Sequence, residues 1–256
     1  MIAFVLMAAV GLIAAGIFSY MYFEAHQDRL VRLELPISGL APVFEKRTLL
    51  FISDIHRRKI SYRLLNQLPA PPDYIVIGGD LTERGVSLFR VRDNLRRLKL
   101  LAPTYFVWGN HDWEAGKPQI ERLLKDMQIT ILDNRTEVIE KGGQAINFTG
   151  VDDTTYRHDR LDLALQSRRQ GVPTLLFSHN PSIKKQLDPS MNLSYVISGH
   201  THGGQINLFG LTLKEKGGVK AHDFGTLIIS NGYGTTKLPL RFAARPDALY
   251  LVLGAK

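Results

Sequence analysis

Seven side chains with metal-ligand chemistry recur at comparable places in this sequence: Asp54, His56, Asp80, Asn110, His179, His200 and His202. His111 follows Asn110 directly. The chain has no cysteine, which excludes disulfides and thiolate metal sites. A metal here is held by Asp, His, Asn or Glu, a shell suited to Mn, Fe, Zn or Mg. Each candidate donor or donor pair closes an apolar run. Residues 48–53 lead into Asp54, 74–79 into Asp80, 105–109 into Asn110, 174–178 into His179 and 195–199 into His200. Such runs read as buried strands. Strand C-terminal ends are where open α/β sheets gather ligands. Taken singly, an Asp or Asn after a strand is a cap or turn residue, and His179 before Asn180-Pro181 is a loop histidine. Their joint occurrence points to one rim of metal-type ligands.

Hydrolysis of a phosphate ester is the chemistry this set suits. It needs a strong nucleophile at neutral pH, neutralisation of the phosphoryl oxygens and a proton for the leaving group. Two metal ions about 4 Å apart supply the first two. Asp54 and Asp80 bring negative charge, whereas the histidines and Asn110 bring none. A pair of divalent ions with a shared hydroxide therefore leaves the site net positive, matched to an anionic substrate.

The set Asp54-x-His56, Gly79-Asp80, Gly109-Asn110-His111-Asp112, His179 and Gly199-His200-Thr201-His202 resembles the calcineurin-like metallophosphoesterases, with the blocks in that family's order. The tail resembles a bacterial membrane-associated branch, through Gly203-Gly204-Gln205, Leu238-Pro239-Leu240-Arg241-Phe242 and Ala244-Arg245-Pro246. The resemblance implies a four-layer α/β sandwich with a mixed central β-sandwich. It implies two divalent metal ions. Asp54, His56 and His202 would bind one, Asn110, His179 and His200 the other, and Asp80 would bridge. It further implies a bridging hydroxide as nucleophile and His111 as general acid. Glu83 matches a family variant in which an acid three residues past the bridging Asp holds the catalytic His, with Glu in place of the more usual Asp. Glu83 is therefore expected to orient His111. Arg84 is expected either to contact substrate phosphate or to be a solvated loop arginine. Asp112 is expected to fix the local turn. Arg57-Arg58-Lys59 stands where many relatives begin with an apolar residue, and is expected either to recruit an anionic head group or to be a solvated loop. His26, His158 and His222 fall outside the blocks and read as surface or packing residues.

These residues need a scaffold. At 45% apolar and 22% charged, the 256 residues have ordinary globular composition and suffice for one large domain. Residues 2–23 carry no charged side chain. As a helix they span about 33 Å, the hydrocarbon thickness of a bilayer. A cleaved signal peptide would want basic residues before the run and a small-x-small site after it. No Lys or Arg precedes it, and Phe23-Glu24-Ala25-His26 is a poor cleavage site. The expectation is one transmembrane helix over 1–23, a connector with a short edge strand over 24–47, and the catalytic domain over 48–256. Arg29, Arg32, Lys46 and Arg47 follow the run, which places the domain on the cytoplasmic side of the cell membrane.

Helices are expected over 61–68, 86–100, 117–127, 161–168 and 182–187. Further strands are expected over 129–132, 137–139, 146–151, 205–208, 226–230 and 249–253. The net charge of +8 favours anionic partners. The basic clusters are short, with no long stripe interleaved with aromatics, so nucleic acid is not the expected partner. A phosphate-ester substrate and the bilayer are. The reading is a membrane-anchored phosphoesterase, leaning to phosphodiesters and to lipid-linked ones. Two alternatives use the same fold. A non-catalytic binding module would have lost ligands, and none is missing here. A nuclease would use the same site with a basic track.

Overall fold

Along β2 (Thr48–Ile52) successive side chains enter different cores, because strand side chains alternate in direction. Leu49 and Phe51 join a cluster with Phe148, Phe177 and Ile197, between two sheets. Leu50 and Ile52 join Val91, Leu95, Leu98, Ile120 and Leu124, under helices. Both faces of the strand are buried, which is why it reads as a continuous apolar run. This computed structural model describes residues 1–207, 211–212 and 214–256.

The first sheet contains β1 (Leu30–Ile37), β3 (Tyr74–Ile77), β4 (Thr104–Phe106), β5 (Thr130–Ile131) and β12 (Ala248–Ala255) besides β2, in the order β1-β12-β2-β3-β4-β5. From β2 to β5 the strands are parallel; β12 runs antiparallel to β2 and parallel to the edge strand β1. The second sheet contains β6 (Arg135–Lys141), β7 (Gln144–Gly150), β8 (Thr174–Phe177), β9 (Tyr195–Ser198), β10 (Gly218–His222) and β11 (Gly225–Ile229), in the order β10-β11-β9-β8-β7-β6. Its strands β7, β8, β9 and β11 are parallel, and hairpin partners close both edges.

Helices cover the outer faces. On the first sheet lie α2 (Tyr62–Leu65), α3 (Leu88–Lys99) and α4 (Asn110–Asp126). The side chains of Ser61 and Ser87 accept hydrogen bonds from the N–H groups of Leu64 and Arg90, capping α2 and α3. On the second sheet lie α5 (Leu161–Gln166) and a 3-10 segment over Pro181–Gln186. The result is the expected four-layer α/β sandwich with a mixed central pair of sheets.

Three local expectations change. α4 is broken at Gly116, whose φ of 113° and ψ of 82° are non-helical, so a short helical segment from Asn110 precedes the helix expected over 117–127. The strand expected over 205–208 is reduced to a single bridge between Ile206 and Phe242, and Leu208 lies outside the described residues. β10 was not expected, since its half-exposed Gly-Val-Lys-Ala-His stretch lacks an apolar run. At the other end, α1 (Ile2–Ala25) leaves the sandwich as a 24-residue apolar helix with no buried residue before Glu24. It is a candidate membrane span.

Candidate metal centre

β2, β3, β4, β8 and β9 lead directly into the residues singled out by their chemistry. The backbone there turns hard. Asp54, His56, Asp80, His200 and His202 all have φ between 49° and 68°, a left-handed region that non-glycine residues rarely adopt. Strain of this kind persists only where neighbours impose it. Here Asp54 N donates to Gly79 O at 2.9 Å, and Ile55 N and His56 N donate to Asp80 O at 2.8 and 3.2 Å. His200 N donates to the Asp54 carboxylate at 3.1 Å. The glycines in the blocks allow the close approach. A Cβ on Gly109 would lie 2.3 Å from Asp80 N and Oδ1, and one on Gly199 would lie 2.4 Å from Ser53 Oγ.

The donor atoms converge in two groups. His202 Nε2 is 3.3 Å from Asp54 Oδ1 and 3.2 Å from His56 Nε2. His179 Nε2 is 3.2 Å from Asp80 Oδ2 and 3.1 Å from His200 Nδ1. Asp80 Oδ2 faces both, at 3.7 Å from His56 Nε2. Two donors about 2.1 Å from one cation are themselves roughly 3 Å apart, so these spacings suit shared cations. Asn110 Oδ1 is buried without a hydrogen-bond partner among the described residues, and a cation would satisfy it. Donor chemistry and spacing thus fit divalent metal ions.

The titration behaviour has the same cause. Burial opposes a charge on His179, but the adjacent Asp80 carboxylate outweighs it and pushes the imidazole up to about 10. Burial likewise opposes a charge on His56, and Glu83 and Asp80 overcome it, raising it above the ordinary value. His200 is pushed down to about 3 by burial, with His179 and Lys214 adding to it. His202 falls well below its ordinary value by burial and the nearness of His56 and Arg241. Protons therefore collect where the carboxylates would draw a cation. Asp112 is pushed up to about 7 by burial and by Asp80, against the stabilising N–H groups of Gly109 and Thr82. Its two oxygens accept from Thr82 N at 3.0 Å and Gly109 N at 3.1 Å, tying the loop after β3 to the end of β4.

His111 faces a cleft of about 390 Å³ that also receives Asp80, Asn110, His200, Lys214 and Lys237. Its backbone N–H donates to Asp80 Oδ1 at 2.8 Å. Glu83 does not reach it. Instead Glu83 Oε2 lies 3.0 Å from His56 Nδ1, and its other oxygen pairs with Arg57. Glu83 therefore sits beside His56 rather than crossing to α4. The carboxylate beside His111 is Glu114, with Oε2 at 3.1 Å from Nδ1. Tyr156 Oη donates to the other oxygen of Glu114 at 2.7 Å. The i,i+3 spacing of His111 and Glu114 signals this pair once α4 is known to start at Asn110.

Arg84 is not among the cleft residues; its Nε donates to Glu114 O at 2.9 Å, bracing the first turns of α4. The cations at the cleft are Lys214 and Lys237. Both come from loops far along the chain, and nothing in their local sequence marks them. Arg57 and Lys59 are exposed but ion-paired, and only Arg58 turns inward. Arg57 holds Glu83, and Lys59 pairs with Asp93 at 3.1 Å. Arg58 donates to Tyr233 O, His26 O, Gln27 O and Asp28 Oδ1 at 2.6–2.9 Å. Of the remaining histidines, His158 stacks on Trp113 and His222 on Phe224, while exposed His26 lies against Tyr22.

Sequence reasoning assigned no role to Arg241. It is fully buried and donates to the carbonyls of His202, Ala244, Asn231, Gly232 and Gly234 at 2.6–3.1 Å. Burial lowers its pKa to about 10, against the pull of Asp247 and Asp54. It gathers the 231–244 loop behind His202.

Fold and donor set together define the metallophosphoesterase class. Residues 47–204 match the family model described as calcineurin-like phosphoesterase, and the chain belongs to that family. It is thus a hydrolase of the metallophosphoesterase type. It is similar to the Bacillus subtilis protein YpbG, at 35% identity over 94% of this chain and 93% of that one. It is also similar to a Danio rerio protein named as a transmembrane protein with metallophosphoesterase domain, at 30% identity. That match covers 90% of this chain and 58% of the relative. Among solved structures, the phosphopantetheinyl hydrolase of Mycobacterium tuberculosis shares the fold. Its TM-score is 0.51 at 14% identity, over 77% of this chain and 96% of that one.

Proposed function

We propose that the chain is a membrane-anchored, two-metal phosphoesterase that cleaves phosphodiesters, with lipid-linked esters within its reach. The observation that carries this reading is the complete donor set at the floor of a cleft that also presents His111. Asp54, His56 and His202 would hold one ion; Asn110, His179 and His200 the other; Asp80 reaches both groups. When bound, the ions supply an activated water and neutralise charge on the phosphoryl oxygens.

The chain's own residues do the rest. Lys214 and Lys237 draw an anionic ester into the cleft. Glu114 occupies Nδ1 of His111, so Nε2 is the atom that hands a proton to the leaving oxygen. Tyr156 fixes Glu114, and the His111 N–H to Asp80 bond fixes the start of α4 against the floor. Glu83, on Nδ1 of His56, and the Gly78 carbonyl, 2.9 Å from His179 Nδ1, set which imidazole nitrogen faces the ions.

The length and apolar exposure of α1, together with the name of the Danio rerio relative, support the anchor. The basic residues after it support a cytoplasmic domain. The test is the full chain, reconstituted with Mn, screened against phosphomonoesters, phosphodiesters, nucleotides and phospholipids. Diesters are expected to turn over faster than monoesters, and chelation is expected to abolish both. Metal-loaded protein inert on every ester would overturn the catalytic reading; equal turnover of monoesters would overturn the diester preference.

A further inference from the structure

The last turns of α1 are built into the domain. Arg241 N donates to Met21 O at 3.1 Å, and Ala244 N donates to Glu24 Oε1 at 2.8 Å. The Tyr20 ring meets Phe242 edge-on at 5.8 Å. Arg58 holds the carbonyls of His26 and Gln27. The helix therefore fixes one face of the domain against whatever surrounds it.

A cleft of about 440 Å³ opens on that face, between the root of α1 and the segments around Gly203, Lys216 and Arg245. None of the proposed metal donors lines it, nor does His111. It is lined by Tyr20, Glu24, Arg29, Asn231, Lys216 and Arg245, among others. Arg29, Lys216 and Arg245 are exposed, and among the described residues none of them is in an ion pair. The one carboxylate, Glu24, is buried and already accepts from Ala244 N. Three cations thus line a cleft that holds one carboxylate, so the cleft keeps an excess of positive charge.

Depth says what would offset that charge. From Ile2 to Tyr20 the helix rises roughly 28 Å, close to the hydrocarbon thickness. Tyr20 and Tyr22 then fall where tyrosine favours the membrane boundary. Arg29, Lys216 and Arg245 line the same cleft as Tyr20 and Glu24, the turn of α1 at that boundary. We infer that this cleft binds the phosphate of an anionic phospholipid in the leaflet from which α1 emerges, with Arg29, Lys216 and Arg245 as its ligands. The inference rests on α1 being a membrane anchor. Bound lipid would complete the seat of the domain on the membrane and fix how the catalytic cleft meets the leaflet.

The test uses the full chain in nanodiscs of phosphatidylcholine with and without phosphatidylglycerol. The readouts are the lipids retained in native mass spectrometry and the thermal midpoint. The wild type is expected to retain phosphatidylglycerol and to melt higher when it is present. The triple variant Arg29→Gln, Lys216→Gln, Arg245→Gln is expected to lose both effects. A charge-matched control, Arg122→Gln, Lys141→Gln, Lys185→Gln, is expected to keep them. Equal phosphatidylglycerol retention by the triple variant overturns the site, as does no retention by the wild type. Stabilisation by inorganic phosphate alone, in phosphatidylcholine discs, that the triple variant loses overturns the lipid assignment in favour of a soluble anion. Alkaline carbonate extraction reads the anchor separately. A chain released to the supernatant overturns the anchor and this site with it, whereas a chain kept in the membrane with no lipid preference overturns the site alone.

Discussion

Asp54, His56, Asp80, His179 and His202 on the floor of the cleft are at most 3% exposed, whereas the side chains of His111 and Glu114 on its wall are 27% and 30% exposed. The floor is held by backbone: left-handed turns after strands, N–H groups on carboxylates, glycines with no room for a Cβ. The wall is held by side chains, through Tyr156, Glu114 and His111 in sequence. A floor of this kind sets geometry once, when the sheets fold. A wall of this kind keeps some freedom, which suits a group that must follow a leaving oxygen. Changes to the floor should therefore remove metal, and changes to the wall should remove rate while leaving metal in place.

Asp80→Ala tests the floor most severely. Asp80 Oδ2 faces both histidine groups, and Asp80 Oδ1 accepts from His111 N. Activity should fall on the order of a thousandfold or more, and elemental analysis should show metal lost in parallel. A variant that keeps its metal and loses only rate would erase the distinction between floor and wall.

Removing metal from the wild type comes next. With Asp80 beside it, His179 is pushed up to about 10, and His56 is raised as well. A histidine whose folded pKa lies above its unfolded value of roughly 6.5 adds stability that is complete below that pH. The contribution is lost as pH rises through the folded value. The metal-free chain should therefore lose on the order of a few kcal/mol between neutrality and about pH 10. The metal-loaded chain should not, since its histidines are neutral ligands throughout. Thermal midpoints across that range, with Mn and with chelator, check this. Parallel curves would mean that the floor carries no such protons.

On the wall, His111→Ala should retain metal and lose roughly a hundredfold or more in kcat, the usual scale of general acid catalysis. The loss should shrink for esters with good leaving groups, which need little protonation. Native turnover of a poor-leaving-group ester by this variant would remove His111 from the acid role.

How much of this was legible follows the same division. Floor residues each end an apolar run, so their chemistry and position appear together in the sequence; Asp54 after 48–53 and His179 after 174–178 are examples. Strand, turn and donor are local to one another, and the sheets only had to bring the ends together. The wall was misread because its partners are set by where a helix begins. Gly116 does break the helix, but a short helical segment from Asn110 precedes the break, and that earlier start puts Glu114 one turn from His111. Lys214 and Lys237 were invisible for a different reason: their loops acquire meaning only by folding over the cleft. Arg58 and Arg241 look like surface cations in sequence, and both turn inward onto backbone carbonyls.

The sharpest comparison makes one chemical change on each side. Glu83 and Glu114 each lie beside an imidazole Nδ1, at 3.0 Å from His56 and 3.1 Å from His111. Replacing either by Gln keeps the shape and removes the negative charge. At Glu83 the imidazole it supports is a proposed ligand, so Glu83→Gln should weaken metal binding about 10- to 100-fold, the scale seen when a ligand's hydrogen-bond partner is lost. Excess Mn should then restore most of the rate. At Glu114 the imidazole is the proposed acid, so Glu114→Gln should bind metal as the wild type does. It should lose on the order of tenfold in kcat, because an imidazole no longer held at Nδ1 is less well aimed at the leaving oxygen. Excess Mn should not restore it. If Mn rescues both variants, Glu114 serves the metals and the wall is part of the floor. If it rescues neither, Glu83 acts on the proton as well as the ion, through the contact of the His56 and His111 rings, whose centroids are 5.1 Å apart.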